Sequence, residues 1–381
     1  MIVCTTTSAA NRAHKSGTKL PLSLVVPCMS NPTESLRSKR VILLLMLLAL
    51  TAASGSVLAV SPAALLHPQQ IAPWRDPSPH SVRFVSVDGN VRLEVLDWGG
   101  SGRPIVLLAG GGDTAHVFDE FAPKLTPDYH VYGITRRGFG ASTFSPLQGA
   151  GDRLGDDVLA VIDSLKLNRP VLVGHSIAGA ELSLVGTRYT GRVAGLVYLE
   201  AGYPYALDNG KGSTMHEFLD VQQPQPPPPG EADLASFSAL WKWYLRVNGF
   251  PFPEAEFRQE RESTPDGRVG KERNFPGSTM LEAILKGTRK YSNIPVPALV
   301  IFAIPHNQGT YINTSTDPAV RGAAKACSLM LDPLTEKQAK AWENGVPTAR
   351  VIRLRGAHHY VYLSNQADVL REMHSFLAGL H

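Results

Sequence analysis

Apolar and polar positions alternate with period two over residues 82–87 (VRFVSV) and 91–98 (VRLEVLDW), with Asp88-Gly89-Asn90 between them. That pattern predicts two antiparallel strands joined by a tight turn. It then gives way to short, continuous apolar runs at 105–109, 131–134, 171–173, 196–199, 298–304 and 351–354. Such runs suit strands covered on both faces, as in a parallel sheet. Helical spacing fills the intervals. Over 154–166, Leu154, Val158, Val161, Ile162 and Leu165 fall on one helix face, and 177–188 and 366–380 read similarly. The alternation behind a hairpin predicts an α/β fold: a mostly parallel sheet of about eight strands with helices on both faces.

The alternation stops between Tyr203 and Ser292. Residues 222–230 (QQPQPPPPG) must be extended, since successive prolines remove the amide hydrogens a helix needs. In an exported protein this run reads as a stiff connector. Residues 233–247 (DLASFSALWKWYLRV) predict an aromatic-rich amphipathic helix. We therefore expect a helical cap insertion at 204–291, splitting a core of 60–203 and 292–381. Trp241, Trp243 and Tyr244 have two readings of equal weight: packing within the cap, or an apolar roof over a substrate.

The N-terminal segment is an address rather than part of the fold. Residues 41–53 (VILLLMLLALTAA) follow Arg37, Lys39 and Arg40 and precede Val57-Leu58-Ala59. These are the three regions of a secretory signal, with cleavage near Ala59. The apolar run of about 13 residues is short of the roughly 20 that span a bilayer. The expected location is secreted or periplasmic. Membrane association is expected only if the leader stays uncut and anchors the chain. Met29 is a second candidate start. The leader also distorts the charge. The 381 residues carry a formal +4, but residues 1–59 hold six basic side chains and one acid. The remaining 31 basic and 32 acidic residues nearly balance, which removes the basic surface nucleic-acid binding requires. Of three cysteines, Cys4 and Cys28 leave with the leader, so Cys327 has no internal disulfide partner and reads as a buried small hydrophobe.

Candidate chemistry begins at 170–179 (PVLVGHSIAG), where a predicted strand turns sharply into a helix at Ser176. The segment resembles the nucleophile elbow, Gly-x-Ser-x-Gly, of the α/β-hydrolase superfamily, with Ala178 in the last position and Gly179 after it. A serine hydroxyl needs a positioned base. Gly356-Ala357-His358-His359-Tyr360, after the last strand, resembles the superfamily's Gly-x-x-His-aromatic ending. That register selects His359 as base and leaves His358 as the other candidate. The remaining histidines, His306 and His116 among them, read as surface or structural. The superfamily's usual acid site, after the 298–304 strand, holds no carboxylate until Asp317. Glu200, by contrast, ends the apolar run LVYL at a strand tip, where ligand chemistry collects in such sheets. This placement resembles the haloalkane-dehalogenase branch, although Ser176 stands where that branch uses an aspartate. Glu200 is therefore the expected acid, with Asp317 as the alternative. The oxyanion donors are expected at Ile177, next to the nucleophile, and at Gly111 in the run Leu107-Leu108-Ala109-Gly110-Gly111-Gly112. That run resembles the His-Gly-Gly-Gly loop of lipases and esterases with Ala109 replacing the histidine. Arg136-Arg137-Gly138-Phe139-Gly140 resembles the superfamily's Arg-Gly-x-Gly turn and is read as loop bracing.

The resemblance implies a serine hydrolase acting on a small-molecule substrate, an ester, thioester, lactone or amide, through a Ser176–His359–Glu200 triad, and export with an aromatic cap favours a carboxylic ester. Peptide and carbon–carbon bond hydrolysis remain open within the same fold. The competing reading from another class is a binder that captures a ligand without turnover. No metal-ligand spacing such as His-Glu-x-x-His and no phosphate loop occur, so neither metal nor organic cofactor is expected. Oligomeric state has no signal in the chain.

Overall fold

The hairpin opens the described chain. β1 (Ser81–Asp88) pairs antiparallel with β2 (Val91–Gly99), and Gly89 adopts a positive φ of 49° in the turn. The computed structural model describes residues 74–144, 150–277, 282, 284–285 and 291–380. The expected leader and its cleavage site lie outside them.

Next come β3 (Pro104–Leu108), β4 (His130–Ile134), β5 (Val171–His175), β6 (Gly195–Leu199), β9 (Ala298–Ala303) and β10 (Ala349–Leu354). The sheet has eight strands in the order β1-β2-β4-β3-β5-β6-β9-β10. β2 joins β4 antiparallel and every later pairing is parallel. This is the fold class expected from the pattern.

Alternate strand residues feed two cores, which is why the strands read as unbroken apolar runs. On one face, Val106, Leu108, Leu172, Tyr198 and Val300 pack with Leu154, Val158 and Ile162 of α1 (Ala150–Ser164) and with Leu182 and Val185 of α2 (Gly179–Arg188). On the other, Ile105, Leu107, Val173, Val197 and Ile301 pack with Phe118 and Phe121 and with Val369, Met373 and Leu377 near the C-terminus. Each fully buried aliphatic side chain contributes about 1.5–3 kcal/mol, so the two layers hold the central strands fixed. α1 starts four residues before the predicted 154 and ends at Ser164. Lys166, expected inside it, has a φ of 54° that no helix continues through.

Between β6 and β9 lie α3 (Met215–Leu219), α4 (Phe237–Asn248), α5 (Glu254–Glu260) and a two-stranded ribbon, β7 (Arg261–Ser263) and β8 (Val269–Glu272). The proline-rich residues 222–230 carry no helix or strand. The helix predicted over 233–247 begins later, because Ser236 is its cap. The Ser236 hydroxyl accepts the Ala239 N–H at 3.1 Å, and Gly249, with φ 87°, ends the helix. Trp241 and Trp243 pack against the second core, while Tyr244 lies against Phe250, Phe252 and Phe257.

After β9 come α6 (Thr310–Thr314) and the 28-residue α7 (Pro318–Gly345), in which Cys327 is buried as a free thiol. α8 (Val361–Ser364) and α9 (Gln366–Ala378) follow β10. No helix among the described residues is long and apolar enough to cross a membrane.

Candidate active site

Ser176 sits where β5 turns into α2, with a φ of 51°. A non-glycine residue in this left-handed region is strained, and such strain persists only where the surroundings impose it. Here they do. A Cβ on Gly179 would lie 2.0 Å from the Ala201 carbonyl oxygen, and one on Gly174 would lie 3.0 Å from the Ala178 Cβ. The tight spot is thus Gly179, one residue after the motif's usual last position, and Ala178 fits because Gly174 faces it. The Ser176 side chain neighbours the Tyr205 hydroxyl.

Glu200 occupies the tip of β6, also at positive φ (49°), and is fully buried. Its Oε1 accepts the Ala303 N–H at 2.7 Å, and its Oε2 accepts the Tyr203 hydroxyl at 2.6 Å. His359 Nδ1 lies 3.1 Å from the same Oε2, and His306 Nε2 lies 3.4 Å from it. Burial pushes the Glu200 pKa up. The His306 charge and the hydrogen bonds from His306 and His359 outweigh it and hold the carboxyl well below the usual range. His306 is in turn held by Asp332, whose Oδ1 lies 2.8 Å from Nδ1. Burial lowers the His306 pKa, but the charges of Glu200 and Asp332 prevail and raise it to about 9.

With Nδ1 on Glu200, His359 Nε2 is buried and has no hydrogen-bond partner among the described residues. Burial lowers the His359 pKa, more than Glu200 restores it. His175, next to the serine in sequence, places Nε2 3.1 Å from the His359 carbonyl, and the two rings are 4.7 Å apart. The elbow and the histidine loop are thereby tied together. His358, the other candidate, makes no hydrogen bond to Glu200 among the described residues. Its ring packs against Phe250 at 4.9 Å, and burial, then the His359 charge, lowers its pKa to about 3. Asp317, the alternative acid, caps the exposed start of α7, where its Oδ1 accepts the Ala319 N–H.

A family model described as "Alpha/beta hydrolase family" matches residues 105–372, well over half of the chain. The chain belongs to the alpha/beta hydrolase family. Among curated relatives, the AB hydrolase superfamily protein YisY of Bacillus subtilis (strain 168) is 30% identical over 158 residues, 37% of this chain and 57% of that protein. Epoxide hydrolase A of Mycobacterium tuberculosis is 36% identical over 97 residues, 24% of this chain and 30% of that protein. The chain thus spans less than two thirds of either relative. Among solved structures, E-2-(acetamidomethylene)succinate hydrolase superposes with a TM-score of 0.53 at 17% identity, covering 79% of this chain and 100% of that one. The esterase RhEst1 from Rhodococcus sp. ECU1013 superposes at 0.51 with 18% identity, covering 79% and 100%. These two likenesses concern the fold.

The glycine loop is braced from below. Arg136 donates from its terminal nitrogens to the carbonyls of Ala109 (2.8 Å) and Gly110 (3.0 Å), and it grips Glu181 at 2.8 and 2.9 Å. This buried guanidinium supplies the support that Ala109, in the place of a histidine, lacks. Gly110 is required by close approach: a Cβ there would lie 2.7 Å from His175 Nδ1. Gly112 is required by its φ of 94°, and Gly111 lies half-buried between them. Ile177 follows the serine in the first turn after β5.

Beside this loop, Asp113, Glu256 and Glu260 bring carboxylate oxygens within 4.8 Å of one another, a grouping that could receive a cation or share protons. Burial raises Asp113 to about 6 and Glu256 to about 8. Burial, then the neighbouring Glu256, raises Glu260 well above its ordinary value. The Tyr360 hydroxyl donates to Asp113 at 3.2 Å, and Thr114 donates its N–H and hydroxyl to Glu256 at 2.7 and 2.6 Å. Sequence reasoning missed this group, along with Tyr203, Tyr205 and Asp332, and set His306 aside. The available signal was position: Tyr203 stands three residues after Glu200, and His306 stands at the strand end where the superfamily's acid is usually found.

Proposed function

We propose that this alpha/beta hydrolase is an exported serine hydrolase that cleaves small carboxylic esters through an acyl-enzyme. The observation that carries the reading is the arrangement around His359. Its Nδ1 lies 3.1 Å from a fully buried carboxylate, its Nε2 is free to accept, and its backbone is joined to the residue preceding Ser176.

In this reading the Ser176 oxygen attacks the ester carbonyl as its proton passes to His359 Nε2. Glu200 holds the imidazole in the tautomer with hydrogen on Nδ1 and stabilises the imidazolium that forms. The N–H groups of Ile177 and Gly111 donate to the developing oxyanion, each worth about 2.7–4 kcal/mol of barrier. Collapse breaks the bond to the leaving alkoxide, which takes the proton from His359. Water then repeats the sequence, deprotonated by His359, and frees the acid and Ser176. The serine argues against the carboxylate-nucleophile chemistry that halide displacement or epoxide opening uses at this elbow. Aromatic side chains of the insertion next to His358 and Tyr360, notably Phe250 and Phe252, favour a moderately apolar acyl or alkyl group. Export rests on the leader pattern, with a secreted or periplasmic product.

A panel of p-nitrophenyl esters of increasing acyl length, run with the wild type and Ser176→Ala, tests the proposal. Expected are turnover that peaks at one chain length and loss of about 10⁴-fold or more in kcat in the variant. Undiminished turnover in Ser176→Ala removes the serine from the mechanism.

A further inference from the structure

A second polar cluster lies on the arm ahead of β1. Asp76 and His80 come from that arm. His116 lies in the turn Ala115–Phe118 after β3, and Asp119 caps it. One ligand atom from each of the four lies within 4.8 Å of the others. The inner distances are His116 Nδ1 to Asp76 Oδ2, 3.2 Å, His116 Nδ1 to Asp119 Oδ2, 3.1 Å, and His80 Nε2 to Asp76 Oδ2, 3.8 Å. Two-ångström bonds to a tetrahedral ion set neighbouring ligand atoms about 3.3 Å apart, which is the scale of these separations.

Three further observations point to a cation. First, His116 Nδ1 carries at most one hydrogen and shares it with Asp119, so Asp76 Oδ2 is a buried oxygen without a hydrogen-bond partner. Second, the His80 imidazole turns its other nitrogen to a carboxylate within hydrogen-bond distance, and Glu94 stands near the other nitrogen of His116. His80 Nδ1 lies 2.8 Å from Asp119 Oδ1, and His116 Nε2 lies 3.8 Å from Glu94 Oε1. Metal-bound histidines have this carboxylate–imidazole backing as a rule. Third, three carboxylates (Asp76, Glu94 and Asp119) meet here, and among the described residues their charged-group partners are the imidazoles of His80 and His116, with no lysine or arginine. Ser78 and Trp98 fix the geometry by donating to Asp119 Oδ1 at 2.7 and 3.1 Å.

We propose that Asp76, His80, His116 and Asp119 bind one divalent transition-metal ion, zinc by the two-imidazole, two-carboxylate donor set. Four protein ligands leave no open position, so the ion is structural. It clasps the arm before β1 to the loop after β3, whose glycines begin the proposed oxyanion loop. The sequence conceals the site because its ligands come in two separate pairs, at spacings of four and three residues, about 40 residues apart.

The test uses the untagged chain, stripped with EDTA and titrated with Zn²⁺ by calorimetry beside a competing chromophoric chelator. The expected results are one zinc per chain, a melting temperature that rises on loading, and release of the zinc to excess EDTA. His80→Gln, on the peripheral arm, and Asp76→Asn are each expected to weaken zinc at least 10-fold with an unchanged circular dichroism spectrum. A stripped chain that takes up no stoichiometric zinc, or zinc binding that survives in both variants, overturns the proposal and leaves a metal-free hydrogen-bonded cluster.

Discussion

At the scale of single residues, the site depends on a buried carboxylate kept ionised by two imidazoles. Glu200→Gln retains shape but loses the charge that fixes His359. It should lower kcat on the order of 10³–10⁴-fold while changing KM little, as steady-state kinetics on the best ester would show. In the proposed mechanism His306 acts through Glu200, 3.4 Å away, and touches no reacting atom. Against burial, the charges of Glu200 and Asp332 raise its pKa to about 9, so kcat should decline above that pH, and His306→Gln should lower kcat about 10-fold and abolish the alkaline decline. An unaltered pH profile in that variant would remove His306 from the account. Ser176, Glu200 and His359 were legible in the sequence because each breaks a local rule: a small polar residue at a strand-helix turn, a carboxylate ending LVYL, a histidine pair after the last strand. His306 and Asp332 break none. They meet only because β9 ends beside β6, with α7 carrying Asp332 back over that end, a juxtaposition no local pattern encodes.

At the scale of elements, the turn from β5 into α2 does the positioning. Its tolerance is set by Gly179, whose absent Cβ leaves room for the Ala201 carbonyl. Gly179→Ala forces a backbone shift and should destabilise the fold by about 1–3 kcal/mol, measured by urea unfolding, with a loss of ester turnover beyond the stability loss. A variant as stable and active as the wild type would contradict the steric account. The parallel strands were read correctly from their apolar runs, since burial on both faces leaves no room for alternation. The start of α4 was misread because an acidic residue at 233 and a serine at 236 are both plausible caps. The geometry chose the serine, leaving Asp233–Ala235 as a separate turn.

For the whole molecule, buried ionisable groups set the pH of greatest stability. Burial raises the pKa of Asp113 from 3.8 to about 6 and that of Glu256 from 4.5 to about 8, so their contribution is complete below about pH 4 and is lost as pH rises from there to those values. His306 adds to the same trend, its contribution complete below 6.5 and lost through about 9. Glu200 and Asp332 have depressed values and work the other way, losing their contribution in acid. Thermal unfolding should therefore show a melting temperature that falls by several degrees from about pH 6 to pH 9, and Glu256→Gln should flatten that fall. A melting temperature that climbs from pH 6 to 9 would contradict this balance.

The central claim is that the elbow serine is activated by the histidine that Glu200 holds. Its most direct test is the rate of covalent labelling by a fluorophosphonate, with the adduct located by peptide mass mapping. The account predicts a single adduct on Ser176 in the folded wild type and labelling slowed at least 100-fold in both His359→Ala and Glu200→Ala. Labelling of another residue, or wild-type rates in those two variants, would contradict it.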